Sequence, residues 1–339
     1  MLEIKELYQN YFYGTNALNG ISFVLKDGEK LAVIAKNGGG KTSLLKCITG
    51  LFPASSGNII LDGKDITNLK IKDRGVRMVY DDGGLIKQRS VFFNLSYPLK
   101  LRKLSRKDRF IKAYQVAKDY DLEPFFKEQA FRLFTPEIIA LALARLELRD
   151  SSLTLIDDVF SIANGLERRD LFDKFLPKLR ALSGNVIFTT DSLEEAISFG
   201  DKVLVLNNGY QHQFGSFEEL RTNPQTLLVD KLFNPYRNRK ILDVVDGVAT
   251  FNNIKFKLPS DYNSTEVFVS FELINDNNGE DFIIGNRKYV GEDTFAYYNN
   301  EDLVCVSTMN ENGFKVSANI STLKLYDRVT EKLLTFEVI

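Results

Sequence analysis

The chain has no surplus of charge, no long apolar run and very little metal-ligand chemistry. Its 44 Lys and Arg residues face 45 Asp and Glu, a net charge of −1. Proteins that neutralise nucleic-acid phosphates carry a basic surplus, so this balance argues against a nucleic-acid partner. Lys100, Arg102, Lys103, Arg106, Lys107 and Arg109 form one local basic cluster, which reads as a solvated helix face. No stretch reaches the ~20 consecutive apolar residues of a membrane-spanning helix. The start, Met1-Leu2-Glu3-Ile4-Lys5, lacks the apolar core of a secretory signal. The chain is therefore expected in the cytosol, with any membrane role exerted through partners. Two cysteines, Cys47 and Cys305, and one histidine, His212, are too few for a metal cluster. Both cysteines sit among apolar or β-branched neighbours and read as buried free thiols.

What is present suits a globular protein of two domains: 339 residues, 44% apolar and 26% charged. Lys30-Leu31-Ala32-Val33-Ile34 is a continuous apolar run, as expected of a buried parallel strand. Further strands are expected at Leu153–Ile156, Asn185–Phe188 and Lys202–Leu206, with helical spacing between them and from Ser105 to about Arg149. Strands alternating with helices indicate an α/β domain with a largely parallel sheet. After Asn234 the pattern changes to short β-branched and aromatic runs split by Asn, Asp and Gly turns. That segment is expected to be a small all-β barrel or sandwich, joined through Asn234-Pro235-Tyr236-Arg237-Asn238.

Between the Lys30–Ile34 strand and the next helix lies Ala35-Lys36-Asn37-Gly38-Gly39-Gly40-Lys41-Thr42-Ser43. Phosphate binding needs backbone N–H groups to converge on an anion, so glycines stand where side chains would intrude, and the helix amino terminus adds partial positive charge. Asn37, Gly38, Gly39, Gly40 and Ser43 are expected to form the cradle, with Lys41 on the β- and γ-phosphates and Thr42 on Mg²⁺. Ala35 occupies the place of the first glycine. A glycine-rich turn with no ligand is the plainer alternative; the order strand, Gly-Lys-Thr, helix favours the phosphate site.

From this loop onward the first 235 or so residues resemble an ABC transporter ATPase. The resemblance implies ATP and Mg²⁺ as ligands. It implies an adenine-stacking role for Tyr13, for which Tyr11, Phe12 and a plain core aromatic compete. Leu153-Thr154-Leu155-Ile156-Asp157 is similar to the family's Walker B strand, with Asp157 reaching Mg²⁺ through water; a strand-ending cap is the alternative. The tail Leu323 to Glu331 is similar to the ending of maltose-type sugar importer ATPases, which carry an OB-like regulatory (TOBE) domain. The implied architecture is a P-loop ABC ATPase domain over residues 1–234, with a helical subdomain at about 86–150, and a β-rich TOBE domain over 235–339.

The resemblance also shows departures. The family's water-polarising glutamate is Asp158 here, about one methylene short, and a misplacement of about 1 Å can cost on the order of a hundredfold in rate. Thr190 stands where the family has a γ-phosphate-contacting histidine. Asp81 replaces the Q-loop glutamine that links Mg²⁺ and water to the membrane subunit, and Asn164 replaces the D-loop aspartate. Leu133-Phe134-Thr135-Pro136-Glu137 stands for Leu-Ser-Gly-Gly-Gln, so a hydroxyl is lost at Phe134 and an N–H at Pro136. His212 is expected to be an ordinary surface residue in a turn. These departures imply a subunit that binds ATP and hydrolyses it poorly, paired as a heterodimer with a more complete ATPase. Two permease subunits and, indirectly, a solute-binding protein are the further partners implied, at the cytoplasmic face of the membrane. The expected cargo is a carbohydrate or related polar solute, with iron, polyamine and phosphonate as alternatives.

Overall fold

The structure is a computed structural model that describes residues 1–10, 16–80, 83–149, 151–251, 254–290, 293–298, 304–306 and 313–339, with side chains described outside 274–316. Tyr13 and Asp81 lie outside the described residues. Two compact units are formed, Met1–Phe217 and Glu218–Ile339. The division falls before the Asn234–Asn238 linker because the preceding helix is tied into the second unit, as described below.

The first unit opens with an antiparallel hairpin, β1 (Leu2–Asn10) and β2 (Asn16–Leu25), followed by β3 (Lys30–Ile34) and α1 (Lys41–Thr49). Next come β4 (Ser56–Leu61), β5 (Lys64–Asp65), β6 (Val76–Val79) and three helices, α2 (Val91–Leu101), α3 (Arg106–Asp119) and α4 (Thr135–Glu147). The unit closes with β7 (Leu153–Asp157), α5 (Gly165–Ala181), β8 (Asn185–Thr190), α6 (Leu193–Phe199), β9 (Lys202–Asn207) and β10 (Tyr210–Gly215). These strands form one sheet in the order β5-β4-β1-β2-β10-β9-β3-β8-β7-β6.

The strands from β9 through β3, β8 and β7 to β6 pair in parallel, as the buried apolar runs predicted. The other half is an antiparallel arm, so the sheet is mixed rather than largely parallel. Every residue of β3, β7 and β8 is buried, which follows from coverage on both faces. Lys30 is the buried cation of these strands: its Nζ donates to the carbonyls of Leu182 (2.6 Å) and Gly184 (2.9 Å), and burial pushes its pKa down. Leu44, Leu45 and Ile48 of α1 pack with Leu31, Val33, Leu155 and Ile187. Each such buried aliphatic side chain contributes about 1.5–3 kcal/mol, and together they hold α1 against the carboxyl ends of the strands. Cys47 is a free buried thiol, pushed up to about 12 by desolvation. His212 lies within β10 and is half-buried, not in the turn, which is Asn207–Gly209.

After α7 (Phe217–Thr222) and α8 (Leu227–Phe233) the second unit is all β. The pairs β11 (Asn238–Val245) with β12 (Val248–Phe251), and β13 (Ile254–Lys257) with β12, are tight hairpins. Together with β14 (Glu266–Phe271) they anchor a seven-stranded sheet. A four-stranded sheet, which includes Leu273–Val290 and Gly313–Ala318, follows. Alternate residues (Phe251, Phe256, Val267, Val269, Phe271, Leu325) form a separate core. The short α8 is bound to this sheet by one carboxylate. Asp230, fully buried, accepts from Arg237 (3.1 Å), Arg239 (2.9 Å) and the Ser270 hydroxyl (2.6 Å).

Candidate functional site

Lys41 is the first residue of α1, and the chain reaches it through a tight loop. Gly38 and Gly40 have φ of 79° and 106°, where a side chain is strained. A Cβ on Gly39 would come within 2.7 Å of the Ala35 methyl, so Ala35 is accommodated only because position 39 carries no side chain. The loop borders a cleft of about 760 Å³ lined by residues 36–43, Asp157, Asp158, Ser161, Asn16, Ala17 and Asn208. All of the expected cradle residues, Asn37 through Ser43, are therefore brought to one cavity.

The charged groups are held in a ring. The Lys41 ammonium, itself buried, donates to the Ala35 carbonyl at 2.6 Å and lies 3.5 Å from Asp158 Oδ2. Thr42 donates to Asp157 Oδ1 at 3.2 Å, and Thr189 donates to the same oxygen at 2.9 Å. This aims Asp157 at Thr42, the geometry a shared divalent cation would use. Asp158 follows in the left-handed region (φ 44°, ψ 37°), which Asp tolerates better than most residues. Its N–H is held by Thr189 Oγ1 and its carbonyl by Ser161, so the side chain turns back toward Lys41. Burial raises the pKa of Asp158, while Lys41 and Arg168 oppose that shift.

Asp158 Oδ1 is buried and has no hydrogen-bond partner, with Arg168 Nη2 3.7 Å away. A buried carboxylate oxygen without a hydrogen bond is costly, and the Arg168 guanidinium is the charge nearest to it. With the Thr42–Asp157 pair beside it, the donor set fits a Mg²⁺-bound phosphate chain. Thr42 and Asp157 would hold the ion, Lys41 the phosphate oxygens, and the ion would supply charge neutralisation.

Thr190 is placed differently. It is fully buried, is not among the cleft-lining residues, and its hydroxyl donates to Glu195 while accepting from Arg168 (3.1 Å) and the Ser192 N–H (3.0 Å). Arg168 grips Glu195 in a bidentate fork (2.6 and 2.9 Å) and reaches Asp191 at 3.0 Å. This guanidinium beside Asp158 escaped the sequence reading, since only the fold brings α5 to the end of β8. Asn16, Ala17 and Asn208 were missed for the same reason. The Asn207–Gly209 turn seals the loop through Gly209 N–H to the Gly39 carbonyl (3.1 Å). A Cβ at Gly209 would meet the Ala17 carbonyl at 2.5 Å, so that glycine was the one available signal.

Phe134 is 76% exposed immediately before α4, and its N–H is capped by the Glu137 carboxylate at 3.1 Å. Pro136 occupies the first turn of that helix, and Asn164 precedes α5. The helix start at Thr135 thus offers an apolar ring and an already-satisfied N–H.

Residues 18–161 match the family model described as ABC transporter. The spermidine/putrescine import ATP-binding protein PotA of Pasteurella multocida is 25% identical over 325 residues, covering 93% of this chain and 88% of that protein. The sn-glycerol-3-phosphate import ATP-binding protein UgpC of Vibrio vulnificus is 28% identical over 264 residues, covering 78% and 71%. A dimeric ATP-binding cassette in a post-hydrolysis state bound to ADP and Pi superimposes with a TM-score of 0.58 at 21% identity, covering 64% of this chain and 98% of that one. cbiO1 from Clostridium perfringens gives 0.57 at 23% identity, covering 63% and 88%. With its glycine loop, its Lys41–Asp158 and Thr42–Asp157 pairs and its mixed sheet, the first unit is an ATP-binding domain of the ABC transporter family.

Proposed function

We propose that this chain is the ATP-binding subunit of an ABC importer for a small polar solute, a carbohydrate or a related compound, and that it holds ATP·Mg²⁺ with weak hydrolysis of its own. The observation that carries the reading is the cleft itself. A phosphate-sized cradle, a buried ammonium and a Thr–Asp pair survive intact around Lys41, Thr42 and Asp157. The polyamine and glycerol-phosphate importer relatives support the importer class, and their spread of cargo supports a solute chosen by other subunits. A second reading assigns the chain to a polyamine importer, favoured by the 93% of its length that aligns with the spermidine/putrescine relative.

Weak hydrolysis is inferred from the ground around the cradle. Asp158 is one methylene shorter than glutamate, and proton acceptance depends on reaching the attacking water at about 2.6–3.2 Å. Thr190 has no imidazole, and its hydroxyl is engaged by Glu195 and Arg168. Electrostatic stabilisation of the transferring phosphoryl group by this chain then falls to Lys41 and the backbone N–H groups of the cradle, while a Mg²⁺ held by Thr42 and Asp157 would supply charge neutralisation. Residues 133–137 carry Phe134 in place of the serine hydroxyl, Pro136 in place of an N–H donor, and no glycine to offer a second chain's nucleotide, so a homodimer would have two impaired sites. Pairing with a more complete paralogue, on the cytoplasmic side of two permease subunits, removes that difficulty. Analytical ultracentrifugation of the purified chain with Mg²⁺ and a non-hydrolysable ATP analogue tests the pairing. The chain is expected to stay monomeric; a nucleotide-driven homodimer would contradict the heterodimer.

A further inference from the structure

We propose that the cavity bounded by β6, the end of α2 and α4 is a binding site for a small organic phosphate. The inference stands apart from the nucleotide cleft and does not depend on its reading. The cavity measures about 300 Å³, and four of its lining residues are arginines: Arg77 on β6, Arg102 at the end of α2, Arg145 on α4 and Arg149 just beyond it. No aspartate or glutamate is among the described residues that line it. The chain as a whole carries a net charge of −1, so this concentration of one sign is local to the cavity.

The guanidiniums are oriented by neutral groups. Arg145 donates through Nη1 to the carbonyls of Gly84 (2.6 Å) and Gly83 (3.5 Å), and its Nε is buried with no hydrogen-bond partner. Burial lowers its pKa, and no carboxylate opposes that shift. Arg77 donates from Nε to Thr154 Oγ1 (2.7 Å) and from Nη1 to the carbonyls of Leu146 and Arg149. Among the described residues neither Arg145 nor Arg149 is in an ion pair. Arg168, Arg237 and Arg239, by contrast, each meet a carboxylate at 3.1 Å or less. A carbonyl fixes a guanidinium without cancelling its charge, so the positive potential at the cavity persists and is preorganised for an anion.

Charge and shape together select the occupant. The guanidinium fork matches the oxygens of a phosphate or a carboxylate. A phosphate monoester carries about −1.5 to −2 charges near pH 7, enough to answer both Arg145 and Arg149, whereas a monocarboxylate answers one. The remaining wall is apolar and aromatic, with Met78, Leu101, Tyr80 and Tyr97, which favours an ester with an organic group over inorganic phosphate. The volume lies at the small end of ligand pockets, about 300–1,000 Å³, and limits that group to roughly one ring.

The test uses the full chain with its cleft filled by Mg²⁺ and a non-hydrolysable ATP analogue. Phenyl phosphate, inorganic phosphate, benzoate and phenol are each titrated by calorimetry. Phenyl phosphate is expected to bind at one site, at least ~tenfold tighter than inorganic phosphate or benzoate, and phenol is expected not to bind. Arg102→Gln and Arg149→Gln, both at exposed positions, should each weaken phenyl phosphate ~tenfold with nucleotide binding unchanged. Lys41→Ala without nucleotide should bind phenyl phosphate as the parent chain does, which separates this site from the cleft even if the cleft takes no ATP. Asp81, Asp82 and Asp150 adjoin the lining in sequence and lie outside the described residues. If they supply the counter-charge, phenyl phosphate does not bind and the proposal fails. Equal binding of benzoate, indifference to both arginine substitutions, or loss of binding in Lys41→Ala would also overturn it.

Discussion

Replacing Lys41 by alanine is expected to weaken Mg·ATP binding at least ~100-fold, about 2.7 kcal/mol, while leaving the fold intact. The cleft lining carries two cations, Lys36 and Lys41, against Asp157 and Asp158. Lys41 is the buried one, and its ammonium is fixed by the Ala35 carbonyl and Asp158. A charge-assisted bond from an ammonium to a phosphate is strong where water is excluded. Removing it also leaves the half-buried Asp158 carboxylate with Arg168 at 3.7 Å as its nearest cation, which repels the incoming polyanion further. Fluorescent-nucleotide titration measures the loss. Thr190→Ala is the control, because that hydroxyl faces Glu195 and Arg168 instead of the cleft, and its affinity should stay within about twofold.

The second large effect lies in the second unit, where Asp230→Ala is expected to cost ~3–5 kcal/mol. Asp230 is 0% exposed and accepts from two guanidiniums, the Ser270 hydroxyl and the Asn234 amide. Without it, Arg237 and Arg239 remain charged beside a cavity. Arg237 already has Nε and Nη2 buried without hydrogen bonds, so no alternative acceptor is at hand apart from Glu272, 3.5 Å from Nε. Breaking one side of a buried ion pair costs more than the pair contributes, because the stranded charge stays desolvated. A melting transition of the second unit should fall by roughly 10–20 °C, with the nucleotide-binding transition unmoved. A change below about 1 kcal/mol would show that water already solvates the arginines.

Some parts of this molecule can be read locally and others cannot. The strand Lys30–Ile34, the glycines and Lys41 carry their own signal within about a dozen residues, because burial on both faces and a positive φ each restrict residue type. Asp157 was legible as the end of a buried strand. The place of Thr190 was not, since a threonine after a strand looks the same whether it faces a cleft or a glutamate on the following helix. Arg168 as neighbour of Asp158, and Asn208 over the loop, depend on pairings between segments far apart in the chain. The junction of the antiparallel arm shows the same limit: β2 meets β10 in parallel through Asn19 and Tyr210, a register that no local pattern encodes.

The same distinction separates binding from catalysis here. On the proposed reading the cradle is local chemistry, whereas the groups that would activate water and clamp the phosphate come from segments distant in the chain. The most direct test is to measure equilibrium Mg·ATP binding and single-turnover hydrolysis on the same purified chain. Saturable, Lys41-dependent binding with turnover below about 0.01 s⁻¹, well under the 1–10³ s⁻¹ of ordinary enzymes, is the result expected. Turnover at or above about 1 s⁻¹ without a partner, or no binding at all, would contradict the account.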